Sequence, residues 1–171
     1  MLTDRIIGAL TFRSGVYDDV EKDTSFTQTA WIIVIVASFL SALGSGGGLI
    51  AAIIGTIFAV IGFYVFVWII NWVGREVFKA VVTVDELIRT LGLAAIWSAF
   101  GVLGLIPVLG GLIALLASLL GLAASLIATK AALDLEWVQT IVTVVIGFIV
   151  EMVIVAIGSA VGLAVAAALL R

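Results

Sequence analysis

The chain has 171 residues, of which 64% are hydrophobic and 11% are charged, and its mean hydropathy is +1.41. This small number of polar residues cannot shield that much apolar surface from water. The composition therefore indicates that the protein is embedded in lipid. The chain has no Cys and no His, which excludes disulfides, thiolate nucleophiles, imidazole bases and the common zinc sites. A net charge of −3 without a basic cluster argues against nucleic acid as a partner.

Long apolar runs, a single Pro and 18 Gly predict an all-α fold. We expect a polytopic transmembrane helical bundle with five spans, arranged as two short hairpins followed by a long C-terminal helix. Interfacial amphipathic helices should accompany it. Residues 1–26 are predicted to be a cytoplasmic amphipathic N-terminal segment, and residues 27–171 to be the five-span domain.

The N-terminal segment begins with a predicted interfacial helix over residues 1–12, which should lie flat on the membrane. Its apolar residues recur at helical spacing, at Leu2, Ile6, Ile7 and Leu10. Ser14 is placed to cap a second, polar turn. Ser25, with Gln28 three residues later, has the spacing of a capping box at the start of the first span.

The first hairpin is predicted from two apolar runs, residues 27–43 and 49–73, separated by a glycine-rich break at residues 44–48. A charged connection over residues 75–89 follows. Within it, Thr83 and Glu86 have capping-box spacing, which predicts an interfacial helix leading into the membrane.

The second hairpin joins a third span over residues 91–106 to a fourth over 112–129, through a turn at Pro107. Sixteen helical residues cover only about 24 Å of a hydrocarbon core about 30 Å thick, so a partly re-entrant third span is an alternative. The fifth span, residues 137–170, is longer than one perpendicular crossing, and Asp134 is its expected N-cap.

Basic residues predict the orientation. With five spans, seven of the eight lie on the side of the N-terminus and Arg171 lies on the other; the seven are Arg5, Arg13, Lys22, Arg75, Lys79, Arg89 and Lys130. This asymmetry predicts a cytoplasmic N-terminus and an external C-terminus. Trp31, Trp68, Trp72 and Trp137 are the expected interface anchors on the cytoplasmic side, and Trp97 falls early in the third span.

Glu151 is the single ionisable residue deep inside a predicted span, which makes it a candidate functional residue. The favoured interpretation is a neutral acid that is hydrogen-bonded to a Ser, a Thr or a backbone carbonyl on a neighbouring helix. Contact with a partner subunit and a role in a proton or ion path are the alternatives.

Small residues at four-residue spacing mark two candidate helix-packing surfaces. Gly158 and Gly162 form a GxxxG motif on the fifth span, and Ala117, Gly121 and Ser125 contribute to stripes on the fourth. Such stripes either pack within the chain or dock another helix. A separate acidic run, Asp18, Asp19, Glu21 and Asp23, is interpreted as a solvated cap, with a basic partner or a cation as the alternative.

Three short segments resemble a known family. Residues 4–10 with 17–23, the turn Ile106-Pro107-Val108-Leu109-Gly110, and the stretch Lys130-Ala131-Ala132-Leu133-Asp134-Leu135 are similar to segments of prokaryotic Yip-domain proteins, relatives of the eukaryotic Ypt/Rab-interacting membrane proteins. The resemblance implies five spans and a cytoplasmic N-terminus. Eukaryotic members also carry a long cytoplasmic region that this sequence lacks, so the resemblance does not imply GTPase binding here.

The sequence therefore favours a non-catalytic scaffold or accessory subunit of a bacterial cytoplasmic membrane assembly. Its expected partners are membrane lipid and either other membrane subunits or further copies of itself, and no cofactor or metal is predicted. The alternative is a small transporter or channel that uses Glu151. A transport path needs several polar groups near the midplane, and on the sequence Glu151 alone qualifies.

Overall fold

The computed structural model describes residues 1–169, and that part of the chain is an all-α bundle without β-strands. Residues Ala95–Leu105 form a 3₁₀ helix, called here the 3₁₀ segment. The α-helices are α1 (Leu2–Leu10), α2 (Gly15–Lys22), α3 (Phe26–Gly44), α4 (Gly48–Glu76), α5 (Val84–Ala94), α6 (Gly110–Leu133) and α7 (Trp137–Leu169).

Five helices are long and apolar enough to cross a membrane, as predicted for a multi-pass membrane protein. They are α3, α4, α5 with the 3₁₀ segment, α6 and α7. The glycine-rich break holds Gly46 and Gly48 at φ +76° and +78°, which residues with side chains rarely adopt. The predicted end of the last span, Leu170, lies outside the described residues.

The third span reaches its length by an unexpected route. It is α-helical over Val84–Ala94 and continues as the 3₁₀ segment, giving 22 residues in all. A 3₁₀ helix rises about 2.0 Å per residue, so the segment spans about 22 Å where an α-helix would span about 16 Å. Its extra rise compensates for the short apolar run that suggested a re-entrant segment.

The spacing of small residues in the sequence explains why this segment forms a 3₁₀ helix. Small residues occur at every third position, Ala95, Ser98, Gly101 and Gly104, and residues three apart share one face of a 3₁₀ helix. That face lies directly against α3: a Cβ added to Gly101 would stand 2.6 Å from Ser41 Oγ, and one added to Gly104 would stand 2.7 Å from the carbonyl oxygen of Gly44. Only glycine permits backbones to approach so closely.

Helices α4 and α7 form the most extensive helix pair. A Cβ added to Gly147 would stand 2.7 Å from the Phe66 ring, and one added to Gly158 would overlap Phe58. Gly162 lies against the backbone of Ala51 in the same way. The GxxxG motif of α7 is therefore buried in a contact within the chain and is not a free docking face.

The N-terminal segment packs against the bundle, which was not predicted from the sequence. Its helices pack on α5, α6 and the 3₁₀ segment, and Ala9, Tyr17 and Val20 are fully buried in the common core. Phe12 stacks on Trp97 with the ring centroids 5.5 Å apart. Of the apolar face of α1, Leu2 and Ile7 are exposed and Ile6 and Leu10 are partly buried, so its contact with lipid stays a prediction.

Arg89 fastens this segment to the bundle. Its side chain is 5% exposed, and its guanidinium donates hydrogen bonds to the carbonyl oxygens of Val20 (3.1 Å) and Glu21 and to Thr27 Oγ1 (3.3 Å). The two carbonyls belong to the last turn of α2, where unpaired carbonyls and the negative end of the helix dipole favour a cation.

One predicted cap is confirmed and three are wrong. Thr83 and Glu86 form the capping box that starts α5. The Ser14 and Ser25 side chains do not cap their helices; Ser25 Oγ donates to Asp23 Oδ1 instead, at 2.5 Å. Asp134 is the C-cap of α6 at φ +49°, a left-handed conformation that aspartate tolerates, and does not start α7.

We predict that Gly158→Leu destabilises the monomer, because the new side chain would overlap Phe58. Overpacking of this kind costs about 1–3 kcal/mol or more. Thermal unfolding in lipid nanodiscs measures the effect, and Phe58→Ala in the same chain should restore part of the loss by making room. Ala160→Leu, on the exposed side of α7, is the matched control; equal destabilisation by both leucines would contradict this packing.

Candidate functional site

Two adjoining cavities, of about 550 and 320 Å³, lie inside the bundle. Glu151 lines both of them. The two cavities also share Ser41, Ser45, Phe63, Ala95, Ser98 and Val155. We refer to the pair as the Glu151 cavity, and the larger part is built by all five apolar helices.

Serine hydroxyls converge on this cavity. Seven of the nine serines in the chain line it, and the other two, Ser14 and Ser25, lie in the N-terminal segment; the seven are Ser38, Ser41, Ser45, Ser98, Ser118, Ser125 and Ser159. The sequence analysis considered some of these serines only as small packing residues and missed them as polar groups. Their spacing on single helices, such as 38, 41 and 45 on α3, was the available signal, because these positions share one face.

Glu151 is held well inside the bundle. It follows the start of α7 by 14 residues, or about 21 Å of helix. Gly62 of α4 leaves room for it, since a Cβ added there would stand 3.5 Å from Glu151 Cγ. Both cavities therefore have a carboxylate in their wall at a depth where charged groups are rare and usually functional.

The favoured interpretation of Glu151, a direct hydrogen bond to a neighbouring helix, is not what the structure shows. Within residues 1–169 no side chain or carbonyl is hydrogen-bonded to its carboxylate. The side chain is half-buried and borders open space, because α6 and the 3₁₀ segment stand away from α7 at this level. The group thus remains available to a ligand or to water.

The small-residue stripe on α6 also belongs to the site. Ala117, Gly121 and Ser125 line the larger cavity, and a Cβ added to Gly121 would stand 3.4 Å from Trp97 Cβ. These residues let α6 approach the 3₁₀ segment closely while keeping space beside it. They act within the chain, as the GxxxG motif does.

The tryptophans divide into two groups. Trp68, Trp72 and Trp137 are 54%, 52% and 50% exposed, as befits side chains available to lipid. Trp31 packs edge-on against Phe63, with centroids 5.8 Å apart, and so borders the wall of the cavity. Trp97, stacked on Phe12, supports the wall from outside.

The larger cavity opens sideways between α6 and α7. These helices are joined by a short loop but touch each other little beyond it. Ser118 of α6 and Met152 and Ala156 of α7 line the cavity and are also exposed, which places them at its mouth. Because both helices are apolar spans, this mouth faces the bilayer.

The acidic run is not simply a solvated cap. Burial, followed by the nearby carboxylates of Glu86 and Asp134, raises the pKa of Glu21. A hydrogen bond from Ser25 and a second from Arg5 lower the pKa of Asp23, whose carboxylate lies 2.8 Å from Arg5 Nη1. The charges of Glu86 and Asp134 therefore act on Glu21 across this acidic surface, while Asp23 pairs with Arg5 and Ser25 inside the segment.

Comparison of the chain with models of protein families, with characterised proteins and with solved structures finds no match. Its function must therefore be argued from the site. Within residues 1–169 the acidic groups form no cluster able to hold a metal ion. What the Glu151 cavity offers is a hydrogen-bonding surface with one carboxyl group, enclosed by apolar helices.

We predict that the cavity holds water, since it is lined by hydroxyls and is many times the volume of about 30 Å³ that one water occupies. The chain lacks Cys, so Ser98→Cys gives a unique thiol in the cavity wall. In nanodiscs this thiol should react with N-ethylmaleimide, because the reactive thiolate forms only with access to water. Val153→Cys, 55% exposed on the outer side of α7, should stay inert in lipid; equal rates would contradict a hydrated cavity.

Proposed function

We propose that this protein binds a small ligand within the bilayer, in the Glu151 cavity, and serves as a carrier or channel for it. The observation that supports this proposal is the convergence of Glu151 and seven serines from separate helices on one space. The sequence-based objection to transport was that polar groups other than Glu151 were missing near the midplane. The serines add further polar groups to the same cavity wall.

The residues that line the cavity also support a binding role. Hydroxyl and carboxyl groups without partners are costly in an apolar medium, so a fold selected only for packing would line this space with apolar side chains. Here the walls instead combine serines with Gly and Ala, which keep the space open. Of the seven serines, Ser45 and Ser159 bond backbone carbonyls of their own helices. A volume of about 550 Å³ falls in the range of small-molecule sites.

We predict that the wild-type protein, purified in mild detergent, retains a bound small molecule in native mass measurements. Glu151→Gln preserves side-chain volume but removes the charge, so the variant should fold and yet lose most of this ligand. Glu136→Gln removes an exposed carboxylate near the start of α7 and should keep it. A wild type without adducts, or identical adducts on both variants, would refute the proposal.

A second candidate is the scaffold or accessory subunit, acting at the membrane surface. It is favoured by the surface on which Glu21, Glu86 and Asp134 meet, which Arg89 holds in a fixed relation to the bundle. Such a surface suits a basic partner protein. The GxxxG motif and the α6 stripe no longer support this candidate, since both pack within the chain.

We further propose membership of the prokaryotic Yip-domain family and a place in the bacterial cytoplasmic membrane, with the N-terminus inside. The five apolar helices agree in number with the spans that the resemblance implies. The excess of basic residues on the N-terminal side supports the orientation. These assignments rest on the sequence.

We predict that a reporter fused after Arg171 is active only when it is one that works outside the cytoplasm. An odd number of spans places the two termini on opposite sides, and the basic residues select which side. Alkaline phosphatase at the C-terminus should be active, and a fluorescent protein at the same place should be dark. The reverse pattern would exclude either the five spans or the orientation.

A further inference from the structure

The Glu151 cavity has a specific chemistry, which rests on the proposed ligand-binding function but goes beyond it. Its one carboxylate lies among aromatic rings and hydroxyl groups, and no Lys or Arg lines either part within the described residues. We propose that the ligand is an ammonium group carried on an apolar tail, which enters sideways from the bilayer.

Glu151 has no cationic side chain beside it in the cavity wall within the described residues. A carboxylate in an apolar surrounding is stabilised by a cation at hydrogen-bonding distance. In most proteins a Lys or Arg supplies that cation, but here two basic residues of the neighbouring helices, Lys130 of α6 and Arg89 of α5, are used elsewhere. Lys130 Nζ donates to the Leu135 carbonyl at 2.7 Å, and Arg89 binds the end of α2. The counter-charge is thus left for the ligand to bring.

Aromatic rings favour an organic cation over an inorganic one. Phe63 and Phe66 of α4 and Phe148 of α7 line the larger cavity, and Phe148 precedes Glu151 by one turn on the same helix. The faces of aromatic rings attract ammonium groups, with the greatest effect where water is excluded. A small metal ion would need several oxygen ligands at close range instead, and the hydroxyls here are spread along the walls.

Hydroxyl groups complete the recognition. Ser41 and Ser45 line both parts of the cavity together with Glu151. A primary ammonium carries three N–H donors, and one carboxylate oxygen with two serine oxygens provides three acceptors. The match favours a primary ammonium.

The position of the cavity mouth explains why the ligand should carry an apolar tail. It lies between two lipid-facing helices and is bordered by Met152 and Ala156, so a chain that extends out of it remains in an apolar medium. The ammonium is that of a free long-chain amine or of the headgroup of an aminophospholipid such as phosphatidylethanolamine. Both offer the same ammonium on an apolar tail.

Protection of a cavity thiol tests the proposal. The Ser98→Cys protein is reconstituted in phosphatidylglycerol nanodiscs, and its alkylation by neutral N-ethylmaleimide is timed. One arm adds dodecylammonium or, as the matched neutral tail, dodecanol; a second arm replaces half of the lipid with phosphatidylethanolamine. Thr24→Cys, exposed on the N-terminal segment, controls for general effects on the reagent.

We expect dodecylammonium to slow alkylation of Ser98→Cys and dodecanol to leave it unchanged. Slowing in the phosphatidylethanolamine arm identifies a lipid headgroup as a source of the ammonium, and its absence there identifies a free amine. In the double variant with Glu151→Gln, the half-protecting concentration should rise about 10- to 100-fold, as for the loss of one charge-assisted hydrogen bond.

The outcomes separate the two proposals. Equal protection by dodecanol and dodecylammonium, or protection that survives Glu151→Gln, would overturn the ammonium proposal and leave a binding cavity in place. A thiol at position 98 that reacts freely and is protected by none of the additions overturns the ammonium proposal too. The native-mass comparison of the Gln variants then decides separately whether the cavity holds any ligand.

Discussion

Phe58 and Phe66 of α4 occupy the spaces left by Gly158 and Gly147 of α7, and the rest of the interior is arranged around this contact. In lipid, burial of apolar surface does not drive helices together, so close van der Waals contact has to hold them. The glycines permit that contact along most of the length of α7. Between them Gly62 faces Glu151, and a Cβ added there would stand 3.5 Å from Glu151 Cγ.

The 3₁₀ segment makes the opposite wall. An eleven-residue 3₁₀ helix is unusual, because its hydrogen bonds have poorer geometry than those of an α-helix. Here the conformation aligns Ala95, Ser98, Gly101 and Gly104 along one face, which places the segment against α3 and presents Ala95, Ser98 and Gly101 to the cavity. An α-helix over the same residues would distribute them around its circumference. The 3₁₀ conformation therefore helps to build the wall of the site.

Much of the fold follows from the sequence, because apolar runs between glycine, proline and charged breaks fix where helices lie in a lipid-embedded chain. The five helices and the Thr83–Glu86 capping box were predictable in this way. The packing of the N-terminal helices against the bundle was not, since the burial of Ala9, Tyr17 and Val20 depends on how helices distant in sequence assemble. The caps at Ser14, Ser25 and Asp134 failed because local hydrogen bonds and a left-handed turn compete with capping.

The candidate site was predictable in one residue, Glu151, whose charge distinguishes it from its surroundings. Its serines were not, because a hydroxyl inside an apolar helix satisfies itself on its own backbone as readily as it faces a ligand, and Ser159 bonds the Val155 carbonyl in that way. Which serines share a space depends on how five helices assemble. The three-residue spacing of small residues over 95–104 is visible in the sequence. It indicates a packing face only if those residues form a 3₁₀ helix.

Helix α5 joins the two functional candidates. Arg89 in its middle binds the end of α2, beside the acidic surface, while Leu91 and Ala94, within the next two turns, line the Glu151 cavity. A rigid helix that contacts both regions transmits a displacement from one to the other, provided that the ligand binds two positions of α5 with different affinity. Ligand occupancy and partner binding at the surface are then coupled through one buried arginine. On this view, the carrier and the scaffold are compatible descriptions of the same molecule.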